Sequence, residues 1–161
     1  MLEEWPLDPQ HHDRNGFSCG VPALDDYLRR YAAQHRRKGI STVYVLTDRA
    51  APAHILGYYT LSAAQLDAAA LSPQDQAGLP QHPVPCFRMG RLACRSDRRG
   101  EGLGNLLVTA AVTRCMEARK QVAAYGMLVD AKDDEAAAFY EHYGFKVCTD
   151  QHLTLYLPFG R

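Results

Sequence analysis

One stretch near residue 100 constrains the fold more than any other part of the chain. The run Phe87–Cys94 is typical of an extended segment, Arg99–Gly104 of a turn dense in glycine, and Asn105–Val108 of the start of a helix. The first N–H groups of a helix lack intrahelical partners and lie at the positive end of the helix dipole, and glycines let a ligand approach the backbone. A strand, a glycine turn and a helix in this order therefore predict a phosphate-binding loop.

Two common phosphate-binding patterns do not fit this loop. A dinucleotide-binding G-x-G-x-x-G would need glycine at Asn105 or at Leu107, and a P-loop would need a Gly-Lys-Ser/Thr ending that is absent. The remaining pattern is R-x-x-G-x-G, which begins at Arg99. An ordinary glycine-rich connection between a strand and a helix is the alternative interpretation of these six residues alone.

The length of the chain favours one domain over residues 1–161, with a core large enough to need neither disulfides nor metal. No apolar run approaches the roughly 18 residues that span a bilayer. The segment Met1–Pro9 carries three acids, which is unlike a signal peptide. We therefore predict a cytoplasmic protein without membrane contact.

Five scattered cysteines show no C-x-x-C pattern, and their odd number argues against a closed disulfide framework. We expect free thiols, most of them buried. The histidines show no H-E-x-x-H or Cys/His spacing, so no metal is predicted.

The formal net charge is zero, with 18 basic and 18 acidic residues, but the charges are segregated along the chain. The segment 29–38 has five basic residues and no acid, and the segment 88–99 has five arginines against Asp97. The segment 130–150 holds six acids and two lysines. Such asymmetry allows a local positive face on a neutral protein, although solvated helix and loop charges explain each single cluster equally well.

Hydrophobic spacing predicts an α/β chain with a mixed sheet. Helices are predicted after Pro22, over 103–119 and over 133–143. Strands are predicted over 42–47, 55–62, 86–95, 122–129 and 153–157, and Gly57 is interpreted as a bulge. The strand–helix–strand order of 86–129 implies a right-handed parallel crossover.

Three segments together resemble the GNAT acetyltransferases. Arg99–Gly104 matches the pyrophosphate signature of that family, and Ala136–Phe145 matches its later A-x-x-F-Y-x-x-x-G-F pattern. Phe17–Leu28 resembles the F-x-C-G-x-x-x-L-D-x-Y-L opening of the GNAT toxins of toxin–antitoxin pairs, and 56–62 and 90–93 are also similar to that branch. The resemblance covers nearly the whole chain.

This resemblance implies a GNAT fold, in which a central mixed and mostly antiparallel sheet with a parallel strand–helix–strand crossover is flanked by helices. It also implies an enzyme that transfers acetyl from acetyl-CoA to the α-amine of an aminoacyl-tRNA and so blocks translation. A small DNA-binding antitoxin is the implied partner. A homodimer is predicted as well, and no residue pattern specifies it.

The same resemblance assigns a donor site. Backbone groups of the central strand would hold the pantetheine and thioester, and the glycine loop would hold the pyrophosphate. The predicted cofactor-binding residues are Leu92, Ala93, Cys94, Arg98, Arg99, Gly100, Gly102, Leu103, Gly104, Asn105 and Phe139.

Tyr140 is the predicted general acid for the departing CoA thiolate, because a phenol with a reference pKa near 10 stays protonated at neutral pH. Its spacing alone fits a core aromatic equally well, and its position in the family pattern favours catalysis. The central strand offers no carboxylate as a general base. An α-amine, with a reference pKa of roughly 8, needs a base less than a lysine amine does.

Basic residues on two segments are the candidate contacts for tRNA phosphates. They are Arg29, Arg30, Arg36, Arg37, Lys38, Arg88, Arg91 and Arg95. The neutral total charge leaves two alternatives open: a GNAT enzyme that acetylates a metabolite or protein amine, and a module that binds acyl-CoA or a partner without turnover.

Overall fold

The computed structural model describes residues 1–160, which contain eight β-strands and five α-helices. The helices are α1 (Pro22–Asp26), α2 (Ala32–Arg37), α3 (Pro73–Gln76), α4 (Leu103–Ala118) and α5 (Asp134–His142). The strands are β1 (Leu2–Pro6), β2 (Thr42–Asp48), β3 (Gly57–Leu66), β4 (Val84–Met89), β5 (Leu92–Cys94), β6 (Gly126–Asp130), β7 (Lys146–Val147) and β8 (Thr154–Pro158). A π-helical turn at Tyr27–Tyr31 connects α1 to α2.

The strands follow the order β1-β2-β3-β4-β6-β8-β7, and β5 pairs with β3. The β4–β6 pair is parallel, with Cys86 opposite Gly126, and the chain between these two strands contains α4. The β1–β2, β2–β3, β3–β5, β6–β8 and β7–β8 pairs are antiparallel. The predicted mixed sheet with a parallel crossover is confirmed.

The chain divides into two compact units. Unit 1 comprises 1–62 and 91–113, and unit 2 comprises 63–90 and the chain from 114 onward. The single domain over 1–161 therefore stays a prediction.

Unit 1 is built around the antiparallel strands β1, β2 and β3 with the short strand β5. Its core combines side chains from the F-x-C-G segment, the first helices and the strands. Phe17 and Tyr58 are almost fully buried and meet edge to face, with ring centroids 5.8 Å apart. The opening pattern at 17–28 is thus a core element of this unit.

Gly57 pairs regularly in the sheet, so the predicted bulge at this position is wrong. A Cβ built on Gly57 would lie 2.7 Å from Leu107 Cδ1 and 2.8 Å from the Ala93 carbonyl oxygen. The glycine is required because α4 and β5 approach its Cα closely.

We expect Gly57→Ala to lower the free energy of unfolding by about 1 to 3 kcal/mol, since the added methyl overpacks against backbone that cannot rotate away. Thermal or urea unfolding measures the change. A variant as stable as the wild-type protein would contradict this packing.

Unit 2 contains the parallel pair β4–β6 and the antiparallel strands β8 and β7. Asp75 on α3 accepts a hydrogen bond from Lys146 Nζ (2.8 Å) and one from the Tyr156 hydroxyl (2.6 Å). The hydrogen bond from Lys146 and then that from Tyr156 hold the pKa of the Asp75 carboxyl below its usual value.

The sign of this shift sets a pH dependence. Because the folded protein favours the carboxylate, the stabilisation is present above the unfolded pKa of about 4 and is lost as the pH falls through the lower folded pKa. We expect Asp75→Asn to lower the melting temperature at pH 7, and the difference from wild type to shrink below about pH 4. A pH-independent difference in thermal unfolding would contradict this role.

Two strand predictions need correction. The single strand predicted over 86–95 is divided at Gly90–Arg91: β4 pairs with β6, whereas β5 pairs with β3. The strand predicted from Val122 begins at Gly126, and Val122 is exposed. The N-terminal strand β1 was not predicted, because its side chains are mostly exposed and show no clear alternation.

No helix among the described residues is long and apolar enough to cross a membrane.

Candidate acetyl-CoA and acceptor sites

The glycine loop of unit 1 presents open backbone amides. Gly100 and Gly102 have φ values of +82° and +74°, and a Cβ built on either would meet nothing within 4 Å. The first hydrogen bond of α4 runs from the Leu106 N–H to the Gly102 carbonyl, at 3.2 Å. The amides of Leu103, Gly104 and Asn105 therefore lie at the helix start without intrahelical acceptors, as phosphate binding requires.

Arg98 has a partner inside the loop. Its guanidinium forms a two-point hydrogen bond with the Glu101 carboxylate, at 2.6 and 2.8 Å. This contact lowers the pKa of the Glu101 carboxyl. Phosphate binding by Arg98 stays a prediction, and it requires the guanidinium to exchange Glu101 for phosphate or to serve both.

Arg99 is exposed, and no carboxylate of the described residues pairs with it. One of its terminal nitrogens lies near Gly20, where a Cβ would be 3.2 Å from it. The preceding turn is attached to the same segment, because the Ser96 N–H donates to the Ser18 carbonyl at 2.9 Å. The F-x-C-G segment thus supports the loop that carries Arg99.

The strand β5 lies directly before this loop. Tyr58 of β3 is opposite Ala93, and within the described residues β5 has no second strand partner. Ala93 is buried, whereas Leu92 and Cys94 are half-buried. The edge of β5 that faces away from β3 is where an extended ligand such as pantetheine would form backbone hydrogen bonds.

In unit 2, Tyr140 is 4% exposed and lies in an aromatic cluster on and after α5. Its ring centroid is 5.4 Å from that of Phe139 and 5.7 Å from that of Phe145. The helix begins at an N-cap, where Asp133 accepts from the Ala136 N–H at 2.9 Å. The cluster fixes the ring of Tyr140, which suits both a core residue and a positioned acid.

The first basic segment lies on the helical turns of unit 1. Arg29 pairs with Asp26 at 3.2 Å, and Arg36 donates to the Leu7 carbonyl at 2.6 Å. The remaining candidates of this segment are exposed: Arg30, Arg37 and Lys38.

The predicted tRNA contact at Arg95 is wrong. Arg95 is 6% exposed, and its guanidinium donates to the Ile55 carbonyl at 2.8 Å and to the Gly16 carbonyl at 2.9 Å. The Arg95 side chain links two loops of unit 1, and its buried charge is not accessible to a polyanion at the surface.

The other two arginines of the central segment differ from Arg95 and from each other. In unit 2, Arg88 lies 3.5 Å from the Asp130 carboxylate without a hydrogen bond at its Nε. In unit 1, Arg91 stacks on the ring of Tyr27, with its guanidinium carbon 3.6 Å from the ring centroid.

None of the five cysteines forms a disulfide, and Cys94 alone is only half-buried. Burial raises the thiol pKa of Cys86 to about 11 and that of Cys115 to about 12, which makes these thiols unreactive at neutral pH. Among residues 1–160, no group of three or more His, Cys, Asp or Glu side chains could hold a metal ion.

A mixed sheet with one parallel crossover and an open glycine loop at the start of α4 defines a GNAT acetyltransferase. The family model of the acetyltransferase (GNAT) domain matches residues 39–147. The chain belongs to this family, in the branch that contains the tRNA-acetylating toxins.

Two curated relatives come from that branch. The tRNA-acetylating toxin of Mycobacterium tuberculosis is 35% identical over 145 residues, which cover 90% of this chain and 85% of the relative. The probable toxin TacT of Sinorhizobium fredii is 26% identical over 161 residues, which cover 95% of this chain and 88% of the relative.

Solved structures of the branch match almost the full length. AtaT complexed with acetyl-methionyl-tRNAfMet superposes with a TM-score of 0.91 at 29% identity, covering 98% of this chain and 95% of that chain. AtaTR bound with acetyl-CoA superposes with a TM-score of 0.84 at 31% identity, covering 98% of this chain and 93% of that chain. The KacTA–DNA complex superposes with a TM-score of 0.82 at 28% identity and covers the same shares of the two chains, 98% and 93%.

Proposed function

We propose that this acetyltransferase transfers acetyl from acetyl-CoA to the α-amine of aminoacyl-tRNA and acts as the toxin of a toxin–antitoxin pair. The observation that carries the proposal is the full-length similarity to AtaT complexed with acetyl-methionyl-tRNAfMet. The similarity to acetyl-CoA-bound AtaTR supports the donor.

The glycine loop supplies the donor site. The pyrophosphate accepts hydrogen bonds from the amides of Leu103, Gly104 and Asn105, and the Arg99 guanidinium adds charge beside them. The pantetheine runs along the edge of β5 that faces away from β3, toward the N-terminal end of this strand, where the thioester meets the acceptor.

The chemical step is an aminolysis of the thioester. The neutral α-amine attacks the acetyl carbonyl carbon, the C–S bond breaks, and the amide nitrogen releases one proton to solvent. The Tyr140 hydroxyl gives a proton to the departing thiolate and recovers one from solvent, so the proton count balances. Because an α-amine is partly neutral at pH 7, the step proceeds without a dedicated carboxylate base.

Acetylation removes the nucleophile that peptide-bond formation needs. In a cell-free translation reaction, the protein with acetyl-CoA should stop synthesis, and fresh aminoacyl-tRNA added after removal of the protein should restore it. Translation that continues unchanged with active protein and acetyl-CoA would refute the toxin proposal.

We infer three further properties from the similarity to the toxin branch of the GNAT family. A small DNA-binding antitoxin restrains the enzyme, as the KacTA–DNA complex suggests for its own pair. The enzyme acts in the cytoplasm, where charged tRNA occurs. It forms a homodimer, which light scattering of the purified protein can test.

The balanced formal charge favours a second candidate, the acetylation of a metabolite or protein amine, because a tRNA-binding enzyme gains from net positive charge. Acetylation of small amines or peptides without acetylation of charged tRNA would establish this candidate. Thermal stabilisation by acetyl-CoA without transfer to any amine would instead establish a binding module.

A further inference from the structure

Among the described residues, no carboxylate pairs with the guanidinium of Arg91. Its guanidinium carbon lies over the Tyr27 ring, 3.6 Å from the ring centroid. In contrast, Arg29 pairs with Asp26, and Arg98 pairs with Glu101. Stacking on an aromatic face leaves the N–H groups at the edge of the guanidinium free to bind a ligand.

The ring beneath Arg91 is held in place from several sides. Tyr27 is 3% exposed, and its hydroxyl lies 3.0 Å from His35 Nδ1 and 3.2 Å from Ser41 Oγ. Its ring also stacks on that of Tyr58, with centroids 6.4 Å apart. Tyr27 is therefore a rigid support that limits the directions the guanidinium can take.

The backbone of Arg91 is fixed as well. Its N–H donates to Thr60 Oγ1 at 3.1 Å, and its carbonyl accepts from the Thr60 N–H at 3.1 Å. Arg91 immediately precedes β5, whereas the glycine loop follows the other end of that strand. Only the three residues of β5 lie between Arg91 and Arg95, and four steps along an extended chain span roughly 13 Å.

The strand β5 thus lies between Arg91 and the glycine loop that would bind the CoA pyrophosphate. With the CoA pyrophosphate on the glycine loop, the thioester end of the donor lies at the Arg91 end of β5. A phosphate that reaches Arg91 therefore arrives with the acceptor and not with the donor. A planar guanidinium with free N–H groups binds a phosphodiester through two parallel hydrogen bonds.

We propose that Arg91 binds a backbone phosphate near the 3′ end of the aminoacyl-tRNA, and that Tyr27 is the positioning residue that aims it. This assignment rests on the proposed function, and it separates Arg91 from the other arginines of the central segment. It provides a specific binding residue for the acceptor tRNA on a protein whose formal net charge is zero.

Steady-state kinetics of the full-length protein with a purified aminoacyl-tRNA tests the assignment. We expect Arg91→Gln to raise the KM for aminoacyl-tRNA by about 10-fold or more while the KM for acetyl-CoA stays within about 2-fold of wild type. In filter binding, the magnitude of the slope of log K against log salt should fall by about the contribution of one phosphate contact.

Tyr27 variants separate positioning from simple folding. Tyr27→Phe keeps the stacking ring, so we expect it to retain most of the affinity, whereas Tyr27→Leu removes the ring and should behave as Arg91→Gln does. If Tyr27→Leu fails to fold, Arg91→Lys provides the second test, because it keeps the charge but loses the planar fork and should still raise the KM for aminoacyl-tRNA.

Arg119→Gln is the matched control. Arg119 also lies over an aromatic ring, that of Phe159 at 5.4 Å, and donates to the Gly160 carbonyl. This variant should leave both KM values and the salt slope unchanged.

The outcomes also separate this assignment from the proposed function. If wild-type protein acetylates aminoacyl-tRNA while Arg91→Gln changes neither the KM for tRNA nor the salt slope, the assignment is refuted and the function stands. If Arg91→Gln instead raises the KM for acetyl-CoA, Arg91 contacts the donor, and its assignment to the tRNA phosphate is also refuted. If wild-type protein neither binds nor acetylates charged tRNA, both fail.

Discussion

Tyr140→Phe is expected to lower kcat for acetyl transfer by about 10²- to 10⁴-fold, the range that general acid catalysis contributes. The substitution removes one oxygen and keeps the ring that packs against Phe139 and Phe145. The KM for acetyl-CoA should change little, because the proposed proton transfer follows binding. Initial rates with saturating donor and acceptor measure the effect.

Tyr143→Phe is the matched control for this prediction. Tyr143 follows the same helix, is half-buried and packs against Phe139 with centroids 5.1 Å apart. Its hydroxyl has no role in the proposed step, so this variant should keep nearly full activity. Equal kcat values for Tyr140→Phe and wild type would show that Tyr140 is a core aromatic only.

The second large effect concerns the donor. Gly102→Ala is expected to raise the KM for acetyl-CoA by about 10-fold, because a residue with a side chain costs roughly 1 to 2 kcal/mol at positive φ and will pull the loop away from its phosphate-binding geometry. The KM for the acceptor should stay near that of wild type. Isothermal titration with acetyl-CoA provides a direct second measurement.

Gly78→Ala controls for backbone strain. Gly78 has a φ of +81°, and a Cβ there would also meet nothing within 4 Å, but it lies outside the loop. The two variants should lose similar stability, and only Gly102→Ala should lose affinity for acetyl-CoA. Similar affinities in both variants would contradict the assignment of the loop.

The elements with the strongest local signals could be predicted from the sequence. The helix after Gly102 and the helix after Asp133 have a clear start, and the structure places them over Leu103–Ala118 and Asp134–His142. The division of the central segment at Gly90–Arg91 could not be predicted, because it depends on which strand pairs with each half. Periodicity describes one strand and carries no information on its partners.

The same limit applies to the site. The open amides after Gly100 follow from a local pattern of glycines, and the sequence predicted them. The burial of Arg95 and the stacking of Arg91 on Tyr27 depend on contacts between distant segments, 79 residues apart for the Arg95 bond to the Gly16 carbonyl. Arg98 and Glu101 are three residues apart, but Glu101 lies in the loop before α4, so the spacing rule for pairs on one helix did not indicate their pairing.

The transfer of labelled acetyl to a pool of charged tRNAs tests the central claim most directly. Purified protein, acetyl-CoA and charged or deacylated tRNA are incubated, the RNA is digested, and the terminal adenosine esters are identified by mass spectrometry. We predict N-acetyl-aminoacyl-adenosine from charged tRNA alone, and its loss with Tyr140→Phe. Acetylation of small amines or peptides with charged tRNA left unmodified would contradict the account.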